Sequence, residues 1–168
     1  MRWRLGVLCV VAAMVIGVTP SAASAGPLLH SVSATFTGGP DTVTSFQCVP
    51  ADRPVICRGA AGGDAAYSGG WTGTSHYDYR FVILPSGSYI VDLVERFHGT
   101  VEGCGEGTFV VRSHETIAAT GVAHGRWVIA SGGTGDFTGL SGAGRSTAAY
   151  ALDGSGSGTI TGRLICRG

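Results

Sequence analysis

Two glutamates stand in rows of residues that would otherwise be buried. Glu95 continues the alternate-residue row Tyr89, Val91, Leu93 and is followed by Phe97, while Glu115 follows Phe109 and Val111 and precedes Ile117. Side chains two apart on a strand share a face. Each carboxylate is therefore expected among aromatic and branched aliphatic groups, where it either keeps its proton to higher pH or takes a cation as partner. If the turn at 85–88 pairs Leu84 with Tyr89, Arg80 lies diagonally from Glu95 and supplies that cation. Two readings follow. In one, Glu95 is a polar anchor or acid in a lined cavity, with Arg80, Tyr89, Phe97, Phe109, Glu115 and Trp127 as further ligand-binding candidates. In the other, Arg80 and Glu95 form a structural pair, or the carboxylates face water at a rim.

Other chemistries lack their residues. His30, His76, His98, His114 and His124 are scattered singly, without a His-x-His or His-Glu-x-x-His spacing, and read as surface residues. The cysteines offer no Cys-x-x-Cys pair, so no zinc site and no other metal is expected. No Gly-x-Ser-x-Gly elbow is present. The chain has no lysine, which removes the Walker-type phosphate loop and leaves no basic stripe for nucleic acid. No cofactor is expected.

The elements that must position the glutamates are strands. Alternation of apolar and polar residues marks 32–37, 43–49, 71–84, 89–101, 108–119, 126–131, 146–152 and 158–166, separated by Gly-, Pro- and Asp-rich turns. About eight short antiparallel strands suit an up-and-down barrel or a sandwich. The stretch 59–70 has little to bury and reads as a mobile loop.

The most specific phrase is Gly132-Gly133-Thr134-Gly135-Asp136-Phe137, glycines set around one buried-type aromatic, as at a strand that bends sharply. It resembles the Gly-Gly-Thr-Gly-x-Phe signature of the allene oxide cyclase-like barrel group, which includes dirigent proteins and bacterial secreted relatives. The run Glu95 to Val101, then Gly103-Cys104-Gly105-Glu106-Gly107-Thr108-Phe109, is similar to the strand, glycine turn and strand that precede that signature. The resemblance spans about residues 76 to 145. It implies an all-β, single antiparallel barrel of about eight strands with an apolar interior, and brings no catalytic residue with it.

Residues 1–25 read as a secretory signal peptide: Arg2 and Arg4, an apolar run from Leu5 to Val18, then Ala23-Ser24-Ala25 as a small-residue cleavage site. Cleavage leaves 143 of the 168 residues, 26–168, enough for a single barrel domain. Loss of Arg2 and Arg4 takes the basic count from 11 to 9 against 11 acidic residues, a net charge of −2. No later apolar run reaches the ~20 residues of a membrane helix. Four cysteines remain in an exported chain, so two disulfides are expected; of three connectivities, Cys48–Cys57 with Cys104–Cys166 is favoured. The expectation is a secreted barrel that binds a small hydrophobic or amphipathic molecule inside. The alternatives are an isomerase or cyclase of the allene oxide cyclase or dirigent kind, and a non-catalytic extracellular interaction module. An interior filled by its own aromatic residues would favour the last.

Overall fold

The computed structural model, which describes residues 28–49 and 56–166, has nine strands, and inward and outward side chains alternate along all but the second, whose residues are all exposed. The expected signal peptide, 1–25, lies outside the described residues. The strands are β1 (Leu28–Gly38), β2 (Thr42–Cys48), β3 (Cys57–Gly69), β4 (Trp71–Ile83), β5 (Tyr89–Val101), β6 (Gly105–Ile117), β7 (Val122–Gly135), β8 (Ser141–Tyr150) and β9 (Gly156–Cys166). They form one antiparallel sheet in the order β1-β9-β8-β7-β6-β5-β4-β3-β2. It closes because β1 also pairs with β3, from Ala34 opposite Gly69 to Gly38 opposite Ala65. Eight strands therefore make a barrel, and β2 lies outside the ring, paired with β3 from Thr42 opposite Gly62 to Cys48 opposite Cys57.

The stretch 59–70, expected as a mobile loop, is most of β3 and a full stave of the barrel. Its small residues face rings. A Cβ on Gly59 would lie 2.4 Å from the Phe81 ring, Ala61 is buried with Phe81, and Ala65 is buried with Tyr67. Low side-chain volume reflects what the neighbouring strand lays across β3 rather than a lack of anything to bury. The eight strands expected from the sequence include β2, which lies outside the ring, and omit β3, which belongs to it.

A second correction concerns register. The β4–β5 connection has five residues, because Ile83 rather than Leu84 pairs with Tyr89. It is closed by Leu84 N–H donating to Ser88 O and Gly87 N–H donating to Leu84 O. One residue of slip reverses which side chains of a strand face the core. Tyr77, Tyr79, Phe81 and Ile83 of β4 consequently join Tyr89, Val91, Leu93 and Glu95 of β5 inside, and Arg80 is exposed opposite Asp92.

One end of the barrel is plugged. Trp71, Phe97, Phe109 and Phe137 are each no more than 2% exposed. Their rings meet at centroid distances of 5.1 Å (Trp71–Phe109), 4.8 Å (Phe97–Phe109) and 5.2 Å (Phe109–Phe137). Such contacts are each worth about 0.5–1.5 kcal/mol beyond the area they bury. Trp127 adds to the stack at 5.3 Å from Trp71 and lies across β8 and β9, where a Cβ on Gly144 or Gly162 would stand 2.5 or 2.4 Å from its indole ring. The Cys104–Cys166 disulfide, with Cα atoms 5.5 Å apart, ties the β5–β6 turn to the end of β9 at this end; Cys48–Cys57 staples β2 to β3 at the other. Both pairs are those expected.

The signature phrase makes the corner beside the plug. Thr108 pairs with Thr134 but Val110 with Ser131, so Gly132 and Gly133 stand opposite Phe109 alone, as in a β-bulge. Gly135 takes φ +63°, which sends the chain into a turn whose Asp136 carboxylate accepts from the Glu106 N–H at 3.0 Å and seats Phe137 at 0% exposure.

Two outcomes check this account. Gly135→Val should lower stability by about 2 kcal/mol or more, since a β-branched residue is strained at positive φ and its Cβ would meet Glu106 O at 2.6 Å. A melting temperature within a degree or two of wild type would contradict the corner. Removing Cys104 and Cys166 together should cost about 4 kcal/mol in chemical denaturation, against about 2–3 for the pair Cys48 and Cys57, because the longer loop is closed by the former. Equal losses would show that loop closure does not govern their contribution.

Candidate functional site

Above the plug the barrel is hollow. A cavity of about 940 Å³ opens at the end formed by the β1–β2, β6–β7 and β8–β9 turns, with Trp71 and Trp127 at its floor. Alternation along β4, β5 and β6 supplies its walls, with Tyr79, Phe81, Val91, Leu93 and Ile117 among them. At the mouth, Phe46 from the extra strand β2 stands 6.2 Å from Phe81 and is 58% exposed, and Leu152 is fully exposed.

Glu95 and Glu115 both line this cavity and are each 7% exposed. Glu95 Oε1 accepts hydrogen bonds from Tyr67 Oη, at 2.8 Å, and from Ser75 Oγ. Glu115 accepts from Ser146 Oγ at 2.9 Å through Oε1 and from Tyr150 Oη at 3.4 Å through Oε2. Nearer the mouth, Asp41 accepts from Tyr77 Oη at 2.7 Å and from Tyr79 Oη at 2.6 Å. Hydroxyl donors therefore hold all three carboxylates, and no arginine or histidine lines the cavity among the described residues.

Burial dominates the electrostatics. Exclusion of water pushes the Glu95 carboxyl above the ordinary carboxylate range, its hydroxyl donors oppose the shift, and the negative charge of Glu115 adds to it. Glu115 is raised for the same reason, against the pull of Ser146 and Tyr150. Tyr67 is pushed up by burial and by the neighbouring Glu95; Tyr77 and Tyr79 by burial and their bonds to Asp41; Tyr150 by burial and Glu115. The tyrosines stay neutral donors, while the two glutamates resist ionisation.

Of the residues singled out in the sequence, Glu95, Glu115, Tyr89 and Trp127 lie together around the cavity. Phe97 and Phe109 lie in the packed end below it, and Arg80 is on the outer surface. Gly132, Gly133, Gly135, Asp136 and Phe137 belong to the corner. Sequence reasoning missed Asp41, Tyr67, Ser75, Ser146 and Tyr150. Asp41 sits in a Gly-Gly-Pro-Asp run between two expected strands and Tyr67 in the stretch expected as a loop, so neither carries a strand signal; the period-two spacing of Tyr77 and Tyr79, continued in Phe81, is the available signal for their face. Among the described residues, His30, Cys104 and Cys166 group as metal-type donors, but the two cysteines are bonded to each other.

These features define a class, a cup-shaped all-β barrel closed at one end and lined by aromatic rings and carboxylates toward the other. The chain belongs to the family described as "Protein of unknown function (DUF3224)", which it matches over residues 52–156. The crystal structure of a protein of unknown function from that family in Shewanella oneidensis MR-1 is similar to it. That similarity has 18% identity and a TM-score of 0.53 over 84% of this chain and 98% of that one. The pterocarpan synthase dirigent protein GePTS1 is more distant, with 13% identity and a TM-score of 0.44 over 94% of this chain and 100% of that one. No curated protein matches the chain.

The raised glutamates give a testable sign. A carboxyl whose folded-state pKa exceeds its unfolded value, about 4.3, binds its proton more tightly in the fold, so stability falls as pH rises above that unfolded value. The melting temperature should therefore fall between pH 5 and pH 8, and Glu95→Gln, which keeps an acceptor for Tyr67 and Ser75, should flatten the fall. An unchanged slope in the variant would contradict the buried, uncompensated state of Glu95.

Proposed function

We propose that this chain is an exported binding protein whose half-hollow barrel holds a small hydrophobic or amphipathic molecule. The cavity carries the reading. An eight-stranded barrel has space for its own side chains or for one small ligand, and this interior is filled at one end and open at the other. About 940 Å³ is within the range of small-molecule sites, and a mostly apolar wall with a few fixed polar groups is their usual composition. The open upper half weighs against a purely structural barrel acting through its outer surface. The corner made by Gly132 to Phe137 further supports placing the family with the allene oxide cyclase-like barrels.

N-phenyl-1-naphthylamine, neutral at pH 7 and fluorescent in apolar surroundings, tests the site. It should brighten on the wild-type protein in a saturable manner. Leu93→Trp, which puts an indole into the cavity at a cost of about 1–3 kcal/mol, should abolish that signal while the protein still melts cooperatively. Unchanged binding by the variant, or none by wild type, would overturn the proposal.

A further inference from the structure

The charge inside the cup narrows the kind of molecule it fits. Three carboxylates, those of Asp41, Glu95 and Glu115, line the cavity, a fourth, Asp153, stands at its mouth, and none of the lining residues is basic. Carboxylates buried in proteins are ordinarily matched by a cation or by a metal. On the outer wall the pattern is the usual one, with Asp78 bonded to Arg96 at 3.1 Å and Asp92 to His114 at 2.7 Å. The interior acids have no such partner among the described residues.

Glu95 is the sharpest case. It is 7% exposed, both of its hydrogen bonds fall on Oε1, and no described residue donates to Oε2. One oxygen of a nine-tenths buried carboxylate lining the cavity is thus left for something that enters it. A single metal ion does not answer the arrangement, because Asp41, Glu95 and Glu115 do not gather their oxygens at one point as metal ligands do. Their separation along the cavity suits an extended organic ion. Aromatic rings complete the match: Tyr67, Tyr77, Tyr79, Tyr89, Trp71 and Trp127 all line the space, and the faces of such rings attract cations within about 6 Å.

We propose that the ligand is an amphipathic organic cation, an aliphatic or aromatic amine whose charged nitrogen lies among Glu95, Glu115 and the tyrosine rings while its apolar part fills the cavity above Trp71 and Trp127. This rests on the cavity being a ligand site and adds the charge of the occupant. An anionic ligand would meet repulsion from every ionised group in the wall. A neutral ligand would leave Glu95 and Glu115 as they are, both held from ionising by burial and Glu95 also by the charge of Glu115. A cation reverses that preference, so its binding should draw a proton from the carboxyl groups. The titratable groups facing the two glutamates are each other, Tyr67 from β3, Tyr77 from β4 and Tyr150 from β8, and the tyrosines keep their protons throughout.

Three probes of one shape provide the test by calorimetry: 2-(2-naphthyl)ethylamine, 2-ethylnaphthalene and 3-(2-naphthyl)propionate. At pH 8 the amine should bind at least tenfold more tightly than the hydrocarbon, and the propionate more weakly than either. The advantage of the amine should shrink toward pH 5. Titrations in two buffers of different ionisation heat should show proton release with the amine alone. Glu115→Gln should reduce the advantage of the amine without weakening the hydrocarbon; if that variant does not fold, the proton count on wild type decides. Hydrocarbon binding as tight as amine binding at pH 8, without proton release, would overturn the cationic ligand and leave the cavity reading standing. Failure of all three probes to bind would overturn both.

Discussion

An eight-stranded barrel is barely wide enough to be filled by side chains, so the packing of its interior decides whether it is a solid body or a container. In this protein four aromatic residues, Trp71, Phe97, Phe109 and Phe137, are packed together at one end and leave almost no exposed surface. That concentration is made by glycine. Rings as large as indole reach the barrel wall only where facing strands carry no Cβ, as Gly144 and Gly162 do beneath Trp127. The high glycine content, 29 of 168 residues, therefore belongs in large part to a well-packed structure rather than to disorder. Above this plug the wall residues, among them Tyr79, Phe81, Val91 and Leu93, do not fill the upper half.

The all-β class, the barrel and both cysteine pairs were legible in the sequence, because each rests on a local or countable signal: alternation, turn residues and an even number of cysteines beyond the expected signal peptide. The inward direction of Glu95 and Glu115 was legible for the same reason, since each sits in an unbroken period-two row. Their surroundings were not. Which partner faces Glu95 depends on the β4–β5 register, and a connection one residue longer than supposed exchanged Arg80 for tyrosines. The β3 stave was invisible because its Gly and Ala residues carry almost no alternation, and their reason for being small lies in the rings of another strand. Ser146 reaches Glu115 from β8 over Gly125 of the intervening β7, whose missing side chain leaves room for the contact, and Tyr150 reaches it from the end of β8; neither meeting can be read without the register of two successive strand pairs.

The interior acids follow from these same choices. With arginine outside and hydroxyl donors inside, Glu95 and Glu115 are hydrogen-bonded without being neutralised. Such a pair contributes little to the stability of the empty barrel and costs something at high pH. Under the proposed ligand-binding function its placement has a physical reason, because an incoming group would meet fixed donors, the Glu95 Oε2 oxygen and ring faces arranged in advance.

The barrel is solid below the level of Trp71 and Trp127 and hollow above it. Methyl-resolved NMR under xenon pressure measures this most directly, because xenon enters apolar space without needing a particular ligand. The account predicts shift changes at the methyl groups of Val91, Leu93 and Ile117, which line the cavity, with those of Val101 and Leu164 in the packed end unmoved. Absent shifts in the upper wall, or changes of equal size at both ends, would contradict it.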